Sequence, residues 1–160
     1  MPLAISGSVT PAVDAVLHGL RAGDLFPNSF APEAALSGLW LYFGGFEQSH
    51  SISQDLHSAE GSYWHAILHR QEPDAGNAAY WFRRVGRHPV YPELRDRAVG
   101  LLAAQAAPVT FTAGGEWDPF AFIDFCECAR RRPGSAEEHV ARHIQLAEWQ
   151  LLFEFCARPK

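Results

Sequence analysis

The sequence predicts an all-α protein of about eight helices, folded as a single domain over residues 1–160. Helical signals run almost throughout the chain, and the strict alternation typical of strands is sustained nowhere. Residues that favour helix starts and ends, chiefly serine, threonine, aspartate, proline and glycine, separate the segments. A chain of 160 residues with 48% hydrophobic residues can bury a sizeable core without disulfides or metals.

Capping and breaking residues divide the N-terminal half into five predicted helices. Thr10 followed by Pro11 is typical of a helix start, and Gly23 fits the end of this first helix, which is predicted to reach about residue 21. Pro73 disfavours helical geometry at the residue before it and therefore ends the fourth helix. The other four are predicted over about residues 32–43, 46–56, 59–72 and 75–85.

The pattern of the C-terminal half predicts three more helices. The first covers about residues 93–107, and residues 108–116 are the least helical part of the chain. Asp118 and Pro119 start the next helix, which reaches about residue 132. Ser135 with Glu138 three residues later forms a capping box, from which the last helix runs close to the C-terminus.

The centre of the chain has an internal similarity. A shift of about 29 residues places the second and third predicted helices over the fourth and fifth. Small residues then coincide, Ser37 with Ala66 and Ser49 with Ala78, as expected where antiparallel helices cross closely. Residues 33–89 thus resemble tetratricopeptide or Sel1-type helical hairpins, although the usual Trp-Leu-Gly run is missing. A plain helical bundle is the alternative.

Four longer segments resemble a family of small uncharacterised bacterial helical proteins. The segments are FEQSHSISQDL, GSYWHAILHRQEPDAGNAAYWFRRVGRHP, WDPFAFIDFCE and IQLAEWQLLFEFC. The resemblance implies a helical fold and brings no activity with it.

Charge and composition exclude several classes of protein. The formal net charge of −5 argues against a nonspecific nucleic-acid binder, which needs a basic surface. The first residues lack the features of a signal peptide, and no apolar run approaches the length of a membrane span. Three cysteines without framework spacing are typical of a reducing compartment. We therefore expect a cytoplasmic protein that binds neither nucleic acid nor membrane.

A candidate metal site lies on the fourth predicted helix. His65, His69 and Glu72 share one stripe of this helix, beside its buried face. Two histidines four residues apart with a nearby carboxylate can bind one divalent ion such as Zn, Fe or Mn. His50 joins them if the third helix lies beside the fourth. The alternative is a structural network in which both histidines hydrogen-bond to neighbouring helices.

The last predicted helix contributes one buried carboxylate. Glu148 lies in the middle of the apolar face, where an unpaired charge is costly, so it needs a cation, a metal or its own proton. Arg70, Arg83 and Arg84 are the candidate cations, and a purely structural ion pair is the alternative. His139 and His143 lie on the opposite, solvent-facing side of this helix and are rejected as metal ligands.

A candidate anion site lies near the end of the fifth predicted helix. Arg84, Arg87 and His88 are grouped there, with Asn77 beside the apolar stripe, and arginine suits carboxylate or phosphate groups. The alternative is that the arginines cap the last carbonyls of the helix and pair with Glu72 or Asp74.

Two functions follow from these features. One is a pocket, with or without enzymatic activity, that binds a metal ion or a small anionic ligand. It would be lined by the metal candidates together with the ligand-binding residues Asn77, Arg84, His88 and Glu148. The other is a helical-repeat-like module that binds a protein partner or forms a homodimer, without catalytic activity. The two differ in whether the polar side chains converge on free space or are paired off individually.

Overall fold

Nine α-helices make up the described part of the chain, residues 1–5 and 7–160 of a computed structural model. In chain order they are α1 (Pro11–His18), α2 (Ala22–Leu25), α3 (Pro32–Tyr42), α4 (Phe46–Asp55), α5 (Ala59–Gln71), α6 (Ala75–Val85), α7 (Tyr91–Ala103), α8 (Pro119–Arg130) and α9 (Ala136–Ala157). Within these residues the β-structure is limited to an isolated bridge between Ser29 and Pro159. The all-α, single-domain prediction is confirmed.

The helix count exceeds the prediction by one because a short additional helix, α2, follows the first. α1 ends at His18, and the N–H of the next residue, Gly19, donates to the carbonyls of Val16 and Leu17. Arg21 then takes an extended conformation and precedes α2. Gly23, which the sequence suggested as the end of the first helix, lies inside α2. Glycine fits a helix end at either position, and the structure has the end at Gly19.

Side-chain caps start most of the longer helices where the sequence placed them. The Ser135 hydroxyl accepts a hydrogen bond from the Glu138 N–H at 3.1 Å, and the Glu138 carboxylate accepts one from the Gly134 N–H. These contacts satisfy N–H groups that have no partner within the helix. The other caps that accept from the first turn of their helix are Thr10, Ser58, Asp74 and Asp118.

Two helical hairpins, α3–α4 and α5–α6, form the centre of the fold. Within the second, His65 faces Trp81 and His69 faces Asn77, so α5 and α6 run antiparallel. Within the first, the Ser37 hydroxyl donates to the Ser49 carbonyl at 3.0 Å, a contact that only a small side chain permits at this helix spacing. The likeness of the two hairpins to tetratricopeptide or Sel1-type repeats stays a prediction.

α5 is the most deeply buried helix. All residues from Glu60 to Gln71 are buried, and α3, α4 and α6 pack around them. Arg70 and Tyr63 also reach α9 through the Glu148 carboxylate. Because no face of α5 is solvated, its polar side chains must find partners inside the protein.

Aromatic side chains pack the segment that connects α7 and α8 against the core. Phe111 stacks on Phe125 with ring centroids 4.7 Å apart, and Trp117 lies 5.2 Å from Phe122. Trp117 is 6% exposed, so this irregular segment is tied to the core at its C-terminal end.

None of the helices in the described residues is long and apolar enough to cross a lipid bilayer.

Candidate functional site

Three histidines from α4 and α5 form a cluster. The ring centroids of His50 and His65 are 4.6 Å apart, those of His65 and His69 are also 4.6 Å apart, and those of His50 and His69 are 5.6 Å apart. One ring nitrogen of each lies within 4.8 Å of the other two. α4 packs beside α5, which is the condition under which His50 was expected to join the other two.

Hydrogen bonds orient two of the three rings. His65 Nδ1 lies 2.8 Å from the Ser53 hydroxyl oxygen, and His69 Nδ1 lies 2.9 Å from Glu72 Oε2. The Ser53 hydroxyl donates to the His50 carbonyl at 3.3 Å, so it accepts from His65 Nδ1, and the Glu72 carboxylate accepts from His69 Nδ1. Both α5 histidines therefore have their proton on Nδ1 and an acceptor at Nε2, which in His69 faces the Asn77 amide nitrogen at 3.2 Å.

The protonation of His65 also suits a metal ligand. Burial and the neighbouring His69 and His50 lower the pKa of His65 to about 3. His65 is 2% exposed and His69 is 5% exposed, whereas His50 is half-buried at the edge of the cluster. His65 is thus neutral at physiological pH without any metal, and a neutral imidazole is the form that coordinates a metal ion.

Glu72 occupies a different place from the one predicted. Among the described residues, the three imidazoles alone form the group of converging ligand atoms, and Glu72 contacts His69 from outside it. Asn77, predicted as a ligand-binding residue, lies with its side-chain nitrogen 3.2 Å from His69 Nε2. Trp81 covers His65, with ring centroids 4.1 Å apart. α6 therefore closes one side of the cluster.

Glu148 takes part in a buried ion pair. Both side chains of the Arg70–Glu148 pair are 0% exposed, and the Tyr63 hydroxyl donates to Glu148 Oε1 at 3.0 Å. Arg70 Nε donates to Gln145 Oε1 at 3.2 Å, and its guanidinium lies 4.6 Å from the Phe122 ring centroid. Of the three cations suggested by the sequence, Arg70 is the partner. The polar groups of Glu148 face protein partners, as in the structural alternative.

The remaining predicted ligand-binding residues do not join Glu148. Arg84 is exposed and lies over the Trp81 ring at 5.0 Å from its centroid. His88 is buried, with Nε2 3.8 Å from Glu60 Oε1. The predicted ligand-binding residues therefore lie in different surroundings and do not form one pocket: Asn77, Arg84, His88 and Glu148. His139 and His143 are exposed on α9.

Searches against protein-family models, curated proteins and solved structures found no significant match to this chain. The resemblance to small bacterial helical proteins therefore stays a prediction, and the functional argument depends on the side chains themselves.

Sequence reasoning missed the residues that orient the site. Ser53 and Glu60 were not singled out, yet each contacts a buried histidine. A signal existed for Ser53: it lies three residues after His50 and so shares the face of α4 that packs against His65 and His69. Glu60 and His88 are far apart in sequence, and no periodicity links them.

Glu60 provides a pH-dependent contribution to stability. The neighbouring His88 side chain lowers the pKa of Glu60 to about 2 from its ordinary value of 4.5, against the opposing effect of burial. A depressed carboxyl pKa stabilises the fold above about pH 4.5, and this contribution is lost as the pH falls towards 2. We expect Glu60→Gln to lower the free energy of unfolding by about 1 kcal/mol at pH 7 and by much less near pH 2.5. Urea denaturation at both pH values measures the difference.

Glu93→Gln is the matched control for this measurement. Glu93 also pairs with a cation, Arg97 Nη2 at 2.7 Å, but its side chain is 60% exposed. A solvated pair of this kind contributes little, so its loss should change stability by no more than a few tenths of a kcal/mol at either pH. A Glu60→Gln effect that stays constant from pH 7 to pH 2.5 would contradict the assigned role of His88.

Proposed function

We propose that the protein binds a divalent transition-metal ion through His50, His65 and His69. The observation that supports this most is the convergence of three imidazole nitrogens within 4.8 Å, two of them with Nδ1 already engaged by Ser53 and Glu72. The Glu72–His69 arrangement matches the carboxylate–histidine pairs that orient metal ligands in proteins.

Zinc is the ion that this set of ligands fits best. Zinc is bound by imidazole nitrogens at about 2.0–2.1 Å in tetrahedral geometry, which requires the ligand nitrogens to lie about 3.3 Å apart. The three ligand nitrogens all lie within 4.8 Å of one another, and a modest closing movement brings them to this geometry. His50 can supply it, because its ring lies half-exposed at the edge of the cluster. Fe and Mn more often require carboxylate ligands as well, and Glu72 is the nearest candidate.

Three protein ligands leave one position of a tetrahedral zinc ion for water. A zinc-bound water loses its proton near neutral pH and becomes a nucleophile, which is the basis of zinc-dependent hydrolysis. Around such an ion, Ser53 and Glu72 would fix the rings of His65 and His69, and the Asn77 amide, which lies 3.2 Å from His69 Nε2, would have to turn away from that nitrogen. Hydrolysis is therefore the reaction class to test first.

Metal binding is tested with protein purified without a histidine tag, stripped with a chelator and titrated with Zn²⁺. We expect one ion per chain by plasma mass spectrometry and an increase in the free energy of unfolding of about 2.7 kcal/mol when free Zn²⁺ is a hundredfold above Kd. The double variant His65→Ala/His69→Ala should lose this ion. The matched control is His139→Ala/His143→Ala, which removes an exposed pair with the same spacing on α9 and should keep it.

Milder variants separate loss of metal from loss of fold. His50 is half-buried, so His50→Ala should leave the fold intact and lower the affinity for Zn²⁺. Ser53→Ala and Glu72→Gln remove only the orienting contacts and should weaken binding by about 10–100-fold. Equal uptake of Zn²⁺ by the two double-histidine variants would assign binding to the surface and overturn the proposal. So would wild-type protein that binds no ion and gains no stability.

A further inference from the structure

A second candidate site lies on the opposite side of α6 from the histidine cluster. A cavity of about 570 Å³ is enclosed by the end of α6, the first turns of α7 and the segment that enters α8. Its lining includes Phe82 and Gly86 of α6, whereas Asn77 and Trp81, which face the histidines, do not line it. Its volume is within the range of small-molecule sites in proteins. The two sites are therefore separate.

Four aromatic side chains contribute to the walls of this cavity. Phe82, Tyr91 and Trp117 are 1%, 9% and 6% exposed, and they line the cavity together with Phe120, which is 39% exposed. Aromatic rings bind flat apolar groups through offset or edge contacts and exclude water from them. The cavity thus suits a ligand with an apolar, preferably aromatic, body.

Three arginines and one glutamate provide the charged groups of the lining, in a protein whose net charge is −5. Arg87 Nη2 lies 3.6 Å from Glu116, with both side chains solvated, and Arg95 pairs with its neighbour Asp96. Arg83 lies over Phe120, and among the described residues no carboxylate oxygen is within 4.0 Å of it. The N–H donors of the Arg83 guanidinium therefore have no carboxylate partner within the protein and can bind one from a ligand.

We propose that this cavity binds a small organic carboxylate with an aromatic body, its carboxylate held by Arg83 and its ring between Phe82 and Trp117. Arginine supplies the charge, and the aromatic side chains of the lining supply the apolar contact. The same lining should bind a neutral apolar molecule more weakly, because such a molecule leaves Arg83 unpaired. It should also bind inorganic phosphate more weakly, because phosphate makes no use of the aromatic side chains.

The charge requirement is tested by isothermal titration calorimetry with 2-naphthoate and its neutral analogue 2-naphthamide. We expect 2-naphthoate to bind one site per chain and 2-naphthamide to bind at least tenfold more weakly. Arg83→Gln should weaken naphthoate binding by about 5–10-fold, because a partly exposed charged contact is removed. Arg97→Gln is the control. Arg97 is an exposed arginine two residues after Arg95 of the lining, but it does not line the cavity itself. It should leave the affinity unchanged.

The location is tested by filling the cavity. Gly115 lines the cavity, and a Cβ atom built there meets nothing within 4 Å, so Gly115→Phe can occupy it without a backbone clash. Gly114 has equally open surroundings but does not line the cavity, which makes Gly114→Phe the matched control. We expect Gly115→Phe to abolish naphthoate binding and Gly114→Phe to retain it. The histidine variants of α5 are not used here, so this outcome is independent of the metal site.

Three results would overturn the inference. Wild-type protein that gives no binding heat with 2-naphthoate would exclude an aromatic carboxylate. Equal affinities for 2-naphthoate and 2-naphthamide, or for wild type and both phenylalanine variants, would exclude this cavity as the charged site. A dimer in sedimentation that Gly115→Phe disrupts would assign the cavity to a second copy of the chain.

Discussion

Replacing Glu148 with alanine is expected to lower the free energy of unfolding by about 3–5 kcal/mol. The substitution leaves the Arg70 guanidinium, which is 0% exposed, without its counter-charge between the Phe82 and Phe122 rings. It also removes the acceptor of the Tyr63 hydroxyl. Since a domain of this size is stable by about 5–15 kcal/mol, the variant should unfold at much lower guanidinium concentration. Equilibrium denaturation followed by circular dichroism measures the shift.

A double variant separates the ion pair from the packing around it. Arg70→Met combined with Glu148→Leu replaces both charges with apolar side chains of similar volume, and such replacements are often neutral or stabilising. We therefore expect the double variant to be more stable than Glu148→Ala alone. If it is no more stable than Glu148→Ala, the cost arises from lost packing and not from the stranded charge of Arg70.

Gly38→Ala is expected to lower the free energy of unfolding by about 2–3 kcal/mol. A Cβ atom at Gly38 would lie 2.5 Å from the Trp64 indole ring, which is fully buried in α5 and cannot move aside. The Gly38 carbonyl also accepts a hydrogen bond from the Trp149 indole N–H at 2.8 Å, so any shift of α3 disturbs its contact with α9. Thermal and chemical denaturation measure the loss.

The control is a helical glycine in open space. Gly100 lies within α7, and a Cβ atom there meets nothing within 4 Å. Gly100→Ala should raise the free energy of unfolding by about 0.5–1 kcal/mol, because alanine favours the helical backbone more than glycine does. The same chemical change is thus expected to act in opposite directions at two positions. Equal effects at both would contradict the close crossing of α3 and α5.

The sequence predicted the helices better than it predicted their ends. Local signals such as Pro11, Asp118 and Ser135 lie next to the backbone groups that they cap, so their effects can be read directly along the chain. The break between α1 and α2 depends on which of two glycines, Gly19 or Gly23, ends the first helix, and both fit a helix end in sequence. The aromatic anchoring of residues 104–118 depends on contacts such as Phe111 with Phe125, which no local pattern reveals.

The candidate site was predictable where one helix supplied it and unpredictable where several did. His65 and His69 share a helix, and helical periodicity alone placed them side by side. The same periodicity put Glu72 on the stripe, but the end of α5 at Gln71 leaves that carboxylate at the cap, beside His69. Pairings such as Arg70 with Glu148 depend on how distant helices cross, and the sequence could only offer three candidate cations.

The complete burial of α5 divides the proposed metal site into a rigid part and a movable part. His65 and His69 are attached to a helix that contacts protein on every side, so these two ligands cannot shift without unfolding the core. His50 is attached to α4, whose outer face is solvated at Glu47 and Ser51. Two of the three candidate ligands therefore have fixed positions, and only the third is on a helix with a solvated face. Entry of an ion would then depend on the approach of the His50 ring, while α5 stays in place.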